Sequence, residues 1–527
     1  MLARITSERG GLGLALGLML VLAMPGFFTL PPIDRDEVLF SQASAQMLAS
    51  GDFVDIRFGD APRYKKPVGI YWLQAAAAAI TGQPGEIWSY RLVSLLGALI
   101  AAGFTWGIAR LVMPGEFAVL AAVALGASLL LGAEARLAKT DAMLLAATMA
   151  GQYVLARGFL PLGRAQRPEL SLPLALAFWG YQAAAVLIKG PIGPMVAAST
   201  LAGICVARRD FAVLRALRPW WGILLLLALA APWFVAISVK SDGAFWAASL
   251  GRDMFQKIAS VKESHGAPPG SYLALVWITF WPGSMLLAAG LPALWRGRGE
   301  ALMAFAAGWV VPVWLVFELT ATKLVHYVLP TYPALAILAA WALWQGGKRH
   351  LWLAALPGVL PLVLLAAIRV QAGQLGAVLF WGFWAGAVAL VLALALILWA
   401  YRRGEAVAMA LALAVGGLAL SAAVYPALAR LEVLWPAKPL AAIAAAYPGC
   451  GLVVAGYAEP SLVFLTGNRV RFVGPEAALL GFFAPGCQVI AMARADAVGL
   501  LAVPVAQVQG LDLGSGRQAD LLVYVKR

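Results

Sequence analysis

Apolar residues fill long blocks of the chain, separated by short polar hinges. The blocks cover approximately residues 11–31, 68–82, 91–110, 116–133, 142–159, 172–188, 191–207, 219–239, 271–294, 301–319, 326–344, 351–369, 376–401 and 405–424. A helix needs roughly 20 such residues to cross a bilayer, so the pattern predicts a polytopic α-helical membrane protein. The block at 68–82 is the exception. It is short, is closed by Thr81-Gly82-Gln83-Pro84-Gly85, and is predicted to lie in the interface as a helix. The first block, behind Arg4 and Arg9, reads as an uncleaved signal anchor with its N-terminus inside.

Basic clusters set the orientation. With 68–82 left out, thirteen spans remain. Arg110, Arg157, Arg164, Arg167, Arg208, Arg209, Arg215, Arg218, Arg296, Arg298, Lys348, Arg349, Arg402 and Arg403 then share one side. Counting 68–82 as a span turns all of them against the positive-inside rule. The expected topology has the C-terminus outside, together with segments 32–90, 134–141, 240–270 and 320–326. Two domains are expected: a transmembrane unit over 1–424, with interfacial helices in loop 32–90, and an outer unit over 425–527.

The tail changes character. Charges return, and short β-rich runs appear at Gly451–Ala455, Arg469–Val473, Cys487–Ala491 and Asp520–Val525, with a short helix over Pro475–Phe483. This predicts a small α/β domain. Cys450 and Cys487 both fall in it, and a disulfide or two buried thiols are both open.

Composition narrows the function classes. Hydrophobic residues make up 62% and charged residues 12% of the 527, and mean hydropathy is +0.84, which excludes a soluble enzyme, a disordered chain and a disulfide-dense secreted scaffold. The net charge of +14 fits cytoplasmic loops rather than nucleic-acid binding. The three cysteines match no metal-site spacing.

Charge kept on the outer side against this bias points to chemistry there. The first outer loop opens Asp34-Arg35-Asp36-Glu37 and leads into an amphipathic helix over 37–50. It continues Arg63-Tyr64-Lys65-Lys66-Pro67-Val68-Gly69-Ile70-Tyr71-Trp72, cations and aromatics beside an interfacial helix. Arg136, Lys139 and Asp141 stand at the next outer boundary. Lys189-Gly190-Pro191 makes a tight turn. Arg252, Lys257 and Lys262 follow, and Lys323, His326 and Tyr327 open a later span. Single interfacial cations are ordinary snorkelling residues. Several on one face suit a shared pocket for an acidic, lipid-linked substrate.

These residues carry a resemblance. Asp36-Glu37, the YKKPVGIYW stretch, Lys139-Thr140-Asp141, the LIKGPIG turn and the KLVHYVLPTYPAL run resemble the GT-C membrane glycosyltransferases. Within these the chain is most similar to the ArnT-like group related to protein O-mannosyltransferases. That group's type member moves 4-amino-4-deoxy-L-arabinose from undecaprenyl phosphate to lipid A. The resemblance implies catalytic roles for Asp36, its neighbour Glu37 and the second acid Asp141, and a donor-phosphate contact for Lys66. Two departures stand out. Lys65 replaces a Glu implicated in metal binding, which argues against a metal here, and Phe40 stands near where the arabinosyl enzymes have Tyr. No other cofactor is implied.

The expected chemistry is transfer of a sugar from a polyprenyl (undecaprenyl) phosphate at the periplasmic face of the bacterial inner membrane. The acceptor is lipid A or another lipopolysaccharide group, with a protein or cell-wall glycan as the alternatives. The leaving phosphate gathers negative charge that preorganised cations stabilise. Arg63, Lys65, Lys66, Lys189 and Lys323 are the candidates, with Tyr64, Tyr71, Lys139, His326 and Tyr327 completing the pocket. Asp36 serves as general base for a hydroxyl acceptor, or orients a phosphate acceptor that needs none. A transporter would place ionisable residues at mid-span, where only Glu318, near a span end, comes close. A scaffold protein would not need acids and lysines on separate outer segments.

Overall fold

The computed structural model describes residues 8–33, 35–162, 166–249, 266–375, 378–483, 485–498, 500–513 and 516–526. Asp34, Arg164, Arg252, Lys257 and Lys262 lie outside the described residues.

The apolar blocks fold as helices. In chain order they are α1 (Glu8–Ala23), α2 (Arg35–Ser50), α3 (Gly69–Thr81), α4 (Ile87–Ala109), α5 (Gly115–Gly126), α6 (Leu129–Glu134), α7 (Asp141–Phe159), α8 (Leu172–Lys189) and α9 (Ile192–Arg208). There follow α10 (Pro219–Lys240), α11 (Ser271–Thr279), α12 (Gly283–Arg296), α13 (Ala301–Leu319), α14 (Tyr332–Trp344), α15 (Ala355–Gln374), α16 (Trp381–Arg403) and α17 (Ala406–Arg430). The chain is a multi-pass helical membrane protein.

Thirteen spans are expected from the apolar blocks, and length and composition alone qualify some of the helices as spans. Among the described residues eight helices are long and apolar enough to cross a membrane, or nine if the α11–α12 pair, bent by 116°, is one span. The remaining blocks form shorter or more polar helices. In α5, every residue from Ala118 to Gly126 is buried. A helix sheathed by protein need not match the hydrocarbon thickness, since its neighbours, not lipid, cover it. The bend between α11 and α12 falls at Phe280-Trp281-Pro282, where proline supplies no backbone donor.

Small residues set the closest crossings. A Cβ on Gly203 of α9 would stand 2.4 Å from the Gly308 Cα of α13. One on Gly69 would stand 2.8 Å from the Leu187 carbonyl, so glycine lets α3 rest on the end of α8. Helix α3 ends at Gly82 in the left-handed conformation (φ 65°). Gln74 of α3 accepts from Ser44 of α2 and donates to the Ala138 carbonyl, each at 2.9 Å. The outer layer is thus pinned to the segment that precedes α7.

Two charges noted in the sequence are structural. Arg136 turns inward, buried, donating to the carbonyls of Pro25, Gly132 and Leu22 beneath the Tyr425 ring. Glu318 accepts from the backbone N–H groups of Gly270, Tyr272 and Leu273 at 2.9–3.1 Å. It caps α11, which removes the one residue that favoured a transporter.

Helix α17 continues to Arg430, and the outer unit begins with α18 (Ala437–Ala446). Its strands are β1 (Gly451–Val454), β2 (Val470–Phe472), β3 (Gln488–Ala493), β4 (Ala506–Asp512) and β5 (Arg517–Lys526), in the order β2-β1-β3-β5-β4. Strand β1 pairs parallel with β2 and β3, and β5 pairs antiparallel with β3 and β4. Strand β4, unpredicted, is a half-exposed edge strand carrying Gln507 and Gln509. Cys450 and Cys487 form a disulfide where β1 and β3 begin. The domain docks on α2 and α4: Phe464 meets Tyr90 at 5.8 Å between ring centroids, and Glu459 meets Arg35 at 3.4 Å.

Candidate functional site

A cavity of about 630 Å³ opens where four separated segments meet. Lys65 and Lys66 come from the first outer loop, Asp141 from the start of α7, Lys189 from the end of α8, and His326 and Tyr327 from the turn before α14. Each polar group is set at a helix end, where the chain leaves its apolar run. The remaining wall is mostly apolar and includes Leu144, Met195, Phe234, Phe245, Trp246 and Phe317. The cavity therefore joins a cationic head to a greasy flank.

Its charges are ordered. Lys189 pairs with Asp141 and lies 5.9 Å from the Tyr327 ring centroid. His326 stands between two carboxylates, Nε2 3.8 Å from Asp141 Oδ1 and Nδ1 3.6 Å from Glu134 Oε1. Lys139, buried, pairs with Glu134 at 3.2 Å. Burial pushes the Glu134 carboxyl up to about 7, while Lys139 pulls it back. Glu134 was not foreseen. The signal was available as an ionisable residue closing an apolar block.

Other expected residues stand elsewhere. Glu37 is fully buried and bidentate to Arg91 at 2.7 and 3.0 Å, and it also accepts from the N–H groups of Ile33 and Ala138. With both oxygens taken it holds the outer layer to α4, which corrects the catalytic expectation. Arg63 is buried against Phe40, donates to the Leu39 carbonyl and reaches Asp36 at 3.7 Å, so it braces α2 and does not line the cavity. Asp36 itself keeps a half-exposed side chain and is not among the described lining residues.

Both loop tyrosines belong to the framework rather than the pocket. Tyr64 donates to Asp55 at 2.7 Å, and burial pushes its hydroxyl up to about 12. Tyr71 is buried against Phe40. Lys323 turns back to the Thr320 carbonyl at 2.7 Å and is not among the described lining residues, although Thr320 and Thr322 are. Lys139 lies behind the wall with Glu134.

Comparison with known proteins follows this geometry. Residues 65–235, which hold Lys65, Lys66, Asp141 and Lys189, match the family model described as dolichyl-phosphate-mannose-protein mannosyltransferase. The crystal structure of ArnT from Cupriavidus metallidurans bound to undecaprenyl phosphate superimposes with a TM-score of 0.77 over 98% of each chain, at 21% identity. The fold is ArnT-like. Both are membrane-helix architectures, and this chain carries a five-stranded C-terminal sheet domain. In sequence the chain is 25% identical over 326 residues to the undecaprenyl phosphate-α-4-amino-4-deoxy-L-arabinose arabinosyl transferase of Edwardsiella ictaluri, covering 61% of this chain and 56% of that one. The protein of the same name from Erwinia tasmaniensis is 27% identical over 310 residues, covering 58% and 54%. The matches thus span a little over half the length of these curated relatives.

On this ArnT-like fold, lysine stands at position 65, where a metal would need an anionic or imidazole donor. Among the described residues no three His, Cys, Asp or Glu side chains are grouped to hold a metal ion. Lys65 and Lys66 place ammonium groups on the cavity wall. The residues do not fit a metal.

Proposed function

We propose that the protein is a glycosyltransferase that takes a sugar from a polyprenyl phosphate, of the undecaprenyl kind, and transfers it to lipid A or a related lipopolysaccharide acceptor. The observation that carries this reading is the joining of Lys65, Lys66, the Asp141–Lys189 pair and His326 to an apolar flank in one cavity. A phosphate under a polyprenyl tail needs both halves. The arabinosyl transferase relatives and the undecaprenyl phosphate bound in the ArnT crystal structure support the donor class.

In this reading the C1–O bond of the donor breaks and its electron pair stays on the lipid phosphate. Lys65 and Lys66 stabilise the charge gathered there, and a preorganised donor of this kind is worth about 10²–10³ in rate. The Asp141–Lys189 pair holds the end of α8 against α7 and shapes the polar wall. Asp36, braced by Arg63 two residues before Lys65, is the acid assigned to the acceptor in this reading, and its side chain stands half exposed outside the described cavity lining.

This reading puts the cavity at the periplasmic face of the inner membrane, and the charges at two helix ends support it. Helix α7 runs from Asp141 at the cavity to Arg157, and α9 from Ile192 at the cavity to Arg208, so the arginines lie at the opposite ends. The positive-inside rule makes those ends cytoplasmic. The disulfide in the outer domain fits an oxidising compartment. A protein acceptor is the second reading, favoured by the mannosyltransferase family match.

The test is reconstitution of purified protein with an undecaprenyl-phosphate sugar and lipid A, reading release of undecaprenyl phosphate and the mass of lipid A. Release with mass added to lipid A supports the reading. Release only with a protein or glycan acceptor replaces the acceptor, and no release with any acceptor overturns the reading.

A further inference from the structure

The reaction proposed above leaves one proton to be placed, and the cavity holds one group suited to carry it. Polyprenyl phosphate leaves a sugar with one more negative charge than the diester carried, and a phosphate monoester takes its second proton near pH 6. Permanent cations are present, but they are mostly spoken for. Lys189 is matched to Asp141 and Lys139 to Glu134, so those pairs cancel. Against that balanced background His326 brings an imidazole, the side-chain type best suited to trading a proton near neutrality. It lines the cavity with Lys65 and Lys66, and carboxylates stand on both sides of its ring.

We propose that His326 is the acid that protonates the departing lipid phosphate, with Glu134 as the positioning residue that holds its ring. This rests on the transferase reading. As C1–O breaks, its electron pair goes to the phosphate oxygen and His326 Nε2 gives that oxygen a proton. The acceptor oxygen bonds to C1 and, where it is a hydroxyl, loses its proton to Asp36. The proton lost by His326 is restored from water after the lipid phosphate leaves.

Glu134 suits the positioning role. Its side chain is 4% exposed and Oε1 faces both Lys139 and His326 Nδ1. Its Oε2 is buried with no hydrogen bond among the described residues. In its ionised form, which prevails only above about pH 7, such a carboxylate favours a charged imidazole beside it. The other charged groups packed around this turn are accounted for. Glu318 of α13 is committed to capping α11, and Lys323 donates to the Thr320 carbonyl. Tyr272 of α11 donates to the Leu324 carbonyl, the Tyr327 ring lies edge-on to His326, and Tyr332 of α14 meets Thr279.

The test compares the pH profile of donor turnover for wild type, H326Q, H326A and E134Q in detergent, with undecaprenyl-phosphate sugar as the probe and donor binding measured separately. Wild type is expected to lose turnover as pH rises. H326Q is expected to turn over about 10²-fold more slowly at the wild-type optimum, without that alkaline limb, while binding donor within a few-fold. H326A is expected to recover in part with added imidazole, and E134Q to move the alkaline limb to lower pH. An H326Q profile matching wild type in rate and shape overturns the acid role while leaving the transferase reading standing. Wild-type protein that binds donor but never releases polyprenyl phosphate overturns both. Loss of donor binding in H326Q and H326A without imidazole rescue also refutes the acid role.

Discussion

Replacing Glu37 by Gln separates structure from chemistry in the first outer loop. The two oxygens of Glu37 serve four donors. Oε1 accepts from Arg91 Nε and the Ala138 N–H, and Oε2 from Arg91 Nη2 and the Ile33 N–H. An amide has one oxygen, so either orientation sets an NH₂ against two of these donors. The change also strips the countercharge from Arg91, whose side chain is fully buried and, among the described residues, otherwise bonded to the carbonyls of Phe27, Leu30 and Pro31. Breaking a buried pair from one side costs about 3–5 kcal/mol. Asp36→Asn is the contrast: its side chain is half exposed and pairs with Arg63 at 3.7 Å, and a half-exposed ion pair of this kind is worth about 0–1 kcal/mol. Thermal unfolding of the purified proteins in one detergent should rank wild type level with Asp36→Asn and both well above Glu37→Gln. Donor turnover should be lost in Asp36→Asn with donor binding kept. A Glu37→Gln protein as stable as wild type but inactive would refute the reasoning and return Glu37 to the chemistry.

Lys66→Ala is expected to weaken donor binding and slow turnover by about 10²-fold, whereas Lys323→Ala, outside the cavity lining, should change either by less than a few-fold; binding of labelled undecaprenyl phosphate measures both. Turnover is expected to survive chelator in metal-free buffer, since lysine stands at position 65; a collapse rescued by zinc or magnesium would show a site built from other ligands. Removing the Cys450–Cys487 bond, 37 residues apart, should destabilise the outer domain by about 4 kcal/mol in the loop-entropy account. Proteolysis of the domain with and without reductant checks it. Cysteines placed at residues 165 and 87 should label from opposite sides of the membrane with an impermeant reagent, and labelling from one side would refute the orientation.

What could be read ahead of the structure was what one-dimensional patterning encodes. Helical blocks, the short helix at Gly69–Thr81 and the sheet-bearing tail were visible because burial in lipid or in a sheet demands a periodic or continuous apolar run. Strand β4 escaped because its alternation carries glutamines at a sheet edge, where solvent meets half the backbone. Hydropathy by itself does not tell lipid from protein as the apolar neighbour of a block, and α5 is walled by protein.

The outer cations and acids were likewise visible in the sequence, but not how they divide. Lys65, Lys66, Asp141, Lys189 and His326 meet in one cavity, while Glu37, Arg63, Tyr64, Tyr71 and Lys323 are spent on the framework. Adjacent residues part company: Asp36 is half exposed and Glu37 has no exposed surface. A helix turns about 100° per residue, so neighbours in sequence face different surroundings, and only the packing of α2 against α4 decides which one meets solvent. The sequence by itself determined which segments are apolar and which side keeps charge, because both are sums over local composition. The tertiary structure alone decided which charges neutralise one another and which remain to meet a substrate, because that depends on distances between residues as far apart as Glu134 and His326.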